Sequence, residues 1–439
     1  VVVDRLDEPA LGAALKSLQA SGIEVRPGVD VPEDLNSFRA VVVSPGVPHR
    51  APVLEKAREL GKRVISELEL GFRLLEGRTM VAITGTNGKT TTTRIAAAML
   101  DRPGRRAIPS GNIGTPLVSL VGSVGAADVP VVEVSSFQLQ NVERFHARVA
   151  VMLNLAPDHF DWHRDLYEYA KAKARIVENM LPEEFFVYNC EDPFCREVAA
   201  GAPGTTIGFG LHRVEGASVW LRDGMIVTGG RLAASELLEV AGLRVPGTHN
   251  VQNMMAASAA ALALGEDPER IREAAVAFEG LEHRCEPAGE VGGIAFYNDS
   301  KATNPHATLH AVKAFPGRFA LIMGGRNKGL EFSDLATELC ELMEEGRLAG
   351  VILTGESAGD IGRTLEAACP EVAASSIRLA DDLAEAVSVA METVERGDSI
   401  LFSPACASFD MFEDYRDRGK AFKSVVRELA GGARSGGLP

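Results

Sequence analysis

Val81-Ala-Ile-Thr-Gly85-Thr-Asn-Gly88-Lys89-Thr90-Thr91 is the stretch that decides the fold. Its first four residues are apolar or β-branched and predict a short buried strand. Two glycines then permit a tight turn, and Lys-Thr-Thr opens a helical pattern that runs to Leu100. A strand entering a helix through a glycine turn is the phosphate-binding corner of an α/β sheet. Backbone N–H groups across Gly85, Thr86, Asn87, Gly88, Lys89, Thr90 and Thr91 can cradle phosphates. Lys89 reaches the β- and γ-phosphates, and the Thr90 hydroxyl can ligate Mg²⁺. The strict P-loop spacing asks for Gly five residues before Gly88, where Ile83 stands, so this is a GxxGKT variant. ATP is the expected ligand.

Outward from this point, short β-branched runs alternate with longer Ala/Leu/Glu/Arg stretches, which predicts parallel sheets covered by helices. Strands are expected at 1–4, 23–26, 39–44 and 63–66, then at 80–84, 131–134 and 149–153. A turn-rich stretch with shorter β-like runs covers 185–245, and an Ala-rich helix follows over 250–264. A third series begins at 294–297 and continues through 319–323, 351–354 and 399–403. The fold class is therefore α/β in three domains, divided at 1–77, 78–280 and 281–439. A Rossmann-like domain usually begins one strand and one Gly-rich turn before a strand ending like Asp4. The first domain is thus expected to lack its first βα unit, with residues preceding Val1 in the natural protein. The last residues, 431–439, read as a frayed tail.

The 439 residues carry 60 Asp plus Glu against 45 Lys plus Arg, a formal net charge of −15. That balance argues against non-specific binding to nucleic acid or to an anionic membrane surface. No apolar run approaches the length of a membrane span, and the start has no secretory pattern. The six cysteines form no CxxC pair and are expected as reduced thiols in a cytoplasmic protein. With 34 Arg and only 11 Lys, the chain mostly uses Arg for positive charge, so a lysine near the phosphate loop gains weight as a candidate.

Further motifs carry chemistry. Glu133 ends the apolar run Val131-Val-Glu-Val-Ser135-Ser-Phe-Gln138, where a carboxylate is costly unless paired or bound to metal. In Leu153-Asn-Leu-Ala-Pro-Asp158-His159-Phe-Asp161-Trp162-His163, the two histidines stand four apart. Pro157 argues against a continuous helix and no HExxH pattern is present, so a capping or active-site histidine is expected rather than zinc. Tyr169-Ala-Lys171-Ala-Lys173 reads as a helix with a basic face. Asn250 and Asn253 share a helix face and could read an adenine edge, although capping is an equal alternative for Asn250. Arg284 follows the second boundary, where a hinge could swing it onto phosphate. Asn298-Asp299-Ser300-Lys301-Ala-Thr303-Asn304 is a dense polar set after a strand, and surface turns often look the same. The runs 323–329 and 402–410 also leave strands into polar loops, which places a second anionic ligand between domains.

Together the motifs resemble the Mur ligase family. GTNGKT, EVSSFQL, LNLAPDHFDWH, AKAKARI, PGTHNVQN, HRCE, NDSKATN, GGRNKG and SPACASFD occur in that family's order and span nearly the whole chain. SSFQL and SPACASFDMF point to the members that add D-glutamate to UDP-MurNAc-L-Ala. The resemblance implies a Rossmann-like UDP-binding domain, a central P-loop ATPase domain and a Rossmann-like amino-acid-binding domain. It also implies ATP, two Mg²⁺ ions, an acyl-phosphate intermediate in peptidoglycan synthesis, and a cytoplasmic monomer. By the same resemblance, Thr90, Glu133, His159 and Lys173 hold metal, Lys173 as a carbamate. Lys89, Glu133, His159 and Lys173 form the catalytic set. Asn250, Asn253, Arg284 and Asp299 contact nucleotide. Asn112, Ser135 and Gln138 serve the phosphate and muramoyl side, and Lys301, Thr303, Lys328 and Ser408 serve the acyl phosphate or D-glutamate. Tyr415 stands where the family's pattern has Phe, and Asp4-Arg5-Leu6 only partly matches the uridine-contacting run. The alternatives are another Mur ligase, a folylpolyglutamate-type synthase, or a non-catalytic nucleotide-binding relative.

Overall fold

The computed structural model describes residues 1–75, 77–160, 162–245, 247–370 and 376–435. Asp161 and Pro246, each inside a motif quoted above, and residues 436–439 of the tail lie outside them. Four strands open the chain: β1 (Val2–Asp4), β2 (Val25–Pro27), β3 (Ala40–Val43) and β4 (Arg63–Ser66). They form two separate parallel pairs, β1 with β2 and β3 with β4. Each pair is joined through a helix, Glu8–Ala20 in the first and Pro52–Glu59 in the second.

The central sheet has nine strands: β5 (Val81–Thr84), β6 (Ala107–Gly111), β7 (Val129–Glu133), β8 (Val149–Met152), β9 (Phe185–Asn189), β10 (Thr205–Gly210), β11 (Ala217–Arg222), β12 (Met225–Thr228) and β13 (Ser235–Glu239). Their order is β13-β12-β11-β10-β9-β8-β5-β7-β6. The turn-rich stretch therefore extends the same sheet. β5 lies between β7 and β8, so the chain leaves it in both directions, and ligand crevices open at such a point. Alternation along β5 explains its burial on both faces. Val81 and Ile83 face the helices Lys89–Leu100 and Thr248–Ala263, whereas Ala82 packs with Leu117, Leu139 and Phe145 on the other side.

A six-stranded sheet completes the chain: β14 (Glu286–Val291), β15 (Ile294–Asn298), β16 (Phe319–Gly324), β17 (Leu348–Thr354), β18 (Ile377–Leu379) and β19 (Ser399–Ala405), in the order β14-β15-β19-β16-β17-β18. All its pairings are parallel except β14 with β15. The last helix, Tyr415–Ser435, continues into the segment expected to be frayed. Its Phe422 and Val426 are fully buried against Phe296 and Phe402, which holds the helix on the sheet.

One expectation is overturned. Cys340 and Cys369 are joined in a disulfide, with Cα atoms 5.9 Å apart, while Cys190, Cys195, Cys285 and Cys406 are free. The two partners lie 29 residues apart, one in the helix Ser333–Glu344 and one capping the helix Ala358–Ala368. Packing of those helices brings the thiols together, and no local spacing announces it.

Glu69 fastens the first part of the chain to the central sheet. It lies in the helix Glu67–Leu74 with its side chain fully buried. The carboxylate accepts the backbone N–H groups of Glu143, Arg144 and Phe145 and pairs with Arg73 at 2.7 Å. Glu69→Ala is expected to lower the urea midpoint by the equivalent of about 3–5 kcal/mol, because donors and a cation lose their buried partner. A midpoint within error of the parent protein would contradict this.

Candidate active site

The phosphate loop takes the shape its glycines permit. Gly88 has φ 83° and caps the helix Lys89–Leu100. A Cβ there would stand 2.3 Å from Asn253 Oδ1, so only glycine admits this approach. Asn253 Oδ1 also accepts from Thr92 Oγ1 at 3.2 Å, binding the two helices behind the loop. The helix Thr248–Ala263 is capped by Gly247 without a side-chain bond, so Asn250 does not act as its cap and instead lines the cleft. Lys89 Nζ donates to the carbonyls of Gly85 (2.8 Å) and Thr86 (2.7 Å), folded back along the loop.

Beside the loop stand the groups suited to a divalent cation. Glu133 ends β7 at 3% exposure; Oε1 accepts from Asn112 Nδ2 at 2.9 Å, while the buried Oε2 has no hydrogen-bond partner among the described residues. His159 adopts a left-handed backbone, φ 57°, uncommon for a residue with a Cβ. Burial pulls its imidazole down to about 3, which keeps it neutral and able to act as a ligand. Lys173 sits at 1% exposure in the helix Leu166–Ala174. Its Nζ donates to the Gly85 carbonyl at 2.7 Å and lies 4.5 Å from the centre of the Tyr169 ring. Burial, with Lys89 close by, holds this amine well below its usual value. The orphaned Glu133 oxygen and the Thr90 hydroxyl are oxygen donors of the kind Mg²⁺ takes, with the neutral His159 imidazole lining the same cleft.

These groups line one cleft of about 490 Å³. Of the residues expected from sequence, Thr86, Asn87, Gly88, Lys89, Thr90, Thr91, Asn112, Glu133, Ser135, His159, Lys173, Asn250, Asn253, Arg284, Asp299, Lys301 and Thr303 all line it. Arg284 and Lys301 are both lowered by burial, Lys301 to about 7, and burial raises Asp299 to about 6. Asp299 accepts from Ser403 Oγ at 2.8 Å.

Five expected residues do not line the cleft. Gly85 supplies the carbonyl shared by Lys89 and Lys173. Gln138 turns inward, its Oε1 accepting from the backbone N–H and hydroxyl of Ser135 in a capping box. Ser408 is buried within the 402–410 loop, its carbonyl accepting the Phe412 N–H. Tyr415 reaches the cleft through Lys301, whose ammonium lies 3.7 Å from the ring centre. Lys328 pairs with Asp158 at 2.6 Å. His163 meets Ser136 Oγ at 3.0 Å and stacks on Phe137. The one carboxylate–histidine cluster with metal-like spacing among the described residues, Glu282, His283 and Glu286, already holds the Lys423 ammonium.

Sequence reasoning passes over Asp158, Asn304, His306 and Arg418. Arg418 is 2% exposed and donates to the carbonyls of Ser300, Cys406 and Ala407, tying the 298–304 stretch to the 402–410 loop. An acid beside His159 and an Asn after Thr303 are visible signals. Nothing local marks Arg418.

Residues 83–261 match the family profile described as Mur ligase middle domain, and residues 283–406 match Mur ligase, glutamate ligase domain. The chain is 38% identical over 430 residues to a UDP-N-acetylmuramoylalanine–D-glutamate ligase of Caldanaerobacter subterraneus subsp. tengcongensis, covering 98% of this chain and 93% of the relative. It is 39% identical over 435 residues to the enzyme of that name from Geobacter metallireducens, covering 99% and 93%. The chain belongs to the Mur ligase family. Solved structures agree on the fold of a Mur ligase. MurF from Acinetobacter baumannii superposes with a TM-score of 0.63 at 18% identity, over 90% of this chain and 92% of that one. UDP-N-acetylmuramate-alanine ligase from Thermotoga maritima gives 0.58 at 21%, over 94% and 90%.

Proposed function

We propose that this chain is the ATP-dependent ligase that joins D-glutamate to UDP-MurNAc-L-Ala in peptidoglycan precursor synthesis. The observation that carries the reading is the single cleft in which the Lys89 loop meets Glu133, His159 and Lys173. Full-length similarity to ligases of that name selects the substrates.

The reaction brings a triphosphate together with two substrates that carry carboxylates, so like charges must converge. Lys89, Arg284 and Lys301 all line the cleft and meet that charge there. ATP phosphorylates the L-alanine carboxylate, and the D-glutamate amine then displaces phosphate from the acyl phosphate. Lys89 exchanges its loop carbonyls for the β- and γ-phosphates. Asn250, Asn253 and Asp299 hold the nucleoside end, and Asn112, Ser135 and Gln138 shape the muramoyl side, Gln138 by fixing the Ser135 loop. Lys328, Thr303, Ser408 and Tyr415 form the amino-acid side. Thr90, Glu133, His159 and carbamylated Lys173 would hold two Mg²⁺ ions. Bound Mg²⁺ supplies charge neutralisation at the transferring phosphoryl group.

In this reading residues 1–77 bind the UDP moiety, 78–280 bind ATP and 281–439 bind the amino acid, with the protein a cytoplasmic monomer. No helix among the described residues is long and apolar enough to cross a membrane. The test is phosphate release with UDP-MurNAc-L-Ala, ATP and one of four amino acids. D-Glutamate alone should support turnover. Release with L-alanine, diaminopimelate or L-glutamate in its place would select another ligase. ATP binding without ADP formation would select a non-catalytic relative.

A further inference from the structure

Asp158 stands at 4% exposure on the segment that follows β8, and both of its oxygens are engaged. Oδ1 accepts the His159 N–H at 2.8 Å and the Lys328 ammonium at 2.6 Å. Oδ2 accepts Asn304 Nδ2 at 2.9 Å. Lys328 comes from the loop after β16. Asn304 caps the helix Pro305–Ala314, its Oδ1 accepting the Ala307 N–H at 2.8 Å while its amide reaches across to Asp158. One carboxylate of the central part is thus gripped by two donors of the third part, and it also holds the backbone of the left-handed His159. A second crossing lies close by on the same helix, where Asn87 Nδ2 of the phosphate loop meets His306 Nδ1 at 2.9 Å.

We propose that Asp158 is a positioning residue that couples docking of the third part of the chain to the conformation of His159. When Lys328 and Asn304 arrive, the carboxylate that fixes the His159 N–H becomes ordered. When they leave, it loses two of its three donors and the His159 backbone loses its restraint. The kinetic arm of the test rests on the ligase reading; the exchange arm does not.

Hydrogen exchange by mass spectrometry on the full chain without nucleotide reads the coupling directly. In Asp158→Asn, exchange is expected to rise at least tenfold in both the segment containing His159 and the segments containing Asn304 and Lys328. The core strands β5 and β16 should keep their protection. Asn304→Ser keeps a helix-capping oxygen but cannot reach Asp158, and should give a smaller rise in the same segments. Asp158→Glu should restore part of the protection. In turnover, Asp158→Asn should raise the KM for D-glutamate at least tenfold and leave that for ATP within twofold. Unchanged exchange around His159 in both Asp158→Asn and Asn304→Ser would overturn the proposal. So would equal changes in the two KM values, or a uniform rise in exchange across both sheets. Absence of wild-type turnover with D-glutamate would remove the ligase reading, while the exchange data would still decide the role of Asp158.

Discussion

Lys173→Arg is expected to lower turnover by about 10³-fold or more while ATP still binds, because a preorganised charge at the transferring phosphoryl group is lost. The lysine occupies a closed setting, with its Nζ against the Gly85 carbonyl and the Tyr169 ring and almost no exposure. An uncharged amine can add to CO₂: the nitrogen lone pair forms the N–C bond, a C=O π pair moves to oxygen, one proton leaves, and the neutral amine becomes a carbamate with anionic oxygens. A guanidinium stays protonated and planar, so arginine can neither undergo that addition nor supply an oxygen. Incubation with ¹³C-bicarbonate should give a carbamate carbon resonance in the parent protein and none in Lys173→Arg. Undiminished turnover in the variant would remove Lys173 from the mechanism.

Glu133→Gln should cost about 10²–10³ in kcat, the range for losing one preorganised electrostatic group. The amide is nearly isosteric and can keep the bond from Asn112, so the fold should not move. It lacks the full negative charge of the carboxylate, whose Oε2 is buried without a partner. A Mg²⁺ titration of turnover should therefore shift to higher concentration, while calorimetric ATP binding in the absence of metal stays near that of the parent. An unshifted Mg²⁺ dependence would count against Glu133 as a ligand.

Residues of the cleft differ in how far sequence alone reveals them. Lys89 and Glu133 are legible because each ends or follows an apolar run, and the chain geometry of a strand leading into a turn fixes where they point. Likewise β5, β7, β8, β16 and β19 fall close to the expected strands, since buried parallel strands write continuous β-branched sequence. Gln138 belongs to a recognisable motif, yet its amide is spent on Ser135, which spacing cannot distinguish from a cleft-facing role. Lys328 is expected on the amino-acid side, and its partner lies 170 positions away in sequence. Arg418 and the Cys340–Cys369 link escape sequence reasoning for the same reason. Both depend on how distant helices and loops pack, information spread over the whole fold. Strands β9 to β13 read in sequence only as a turn-rich stretch of the 78–280 domain, because their short runs carry no signal of which sheet they join.

The crossings Asn87–His306 and Asp158–Lys328 have a consequence for inhibition. They join the central part of the chain to the third part at the 490 Å³ cleft, which Asn87, His306 and Asp158 line. A molecule larger than the closed cleft would act as a wedge, entering only after these stitches part and then keeping them parted. Such a compound need not resemble ATP or an amino acid. It would compete with these two crossings, so substitutions that weaken them should tighten its binding.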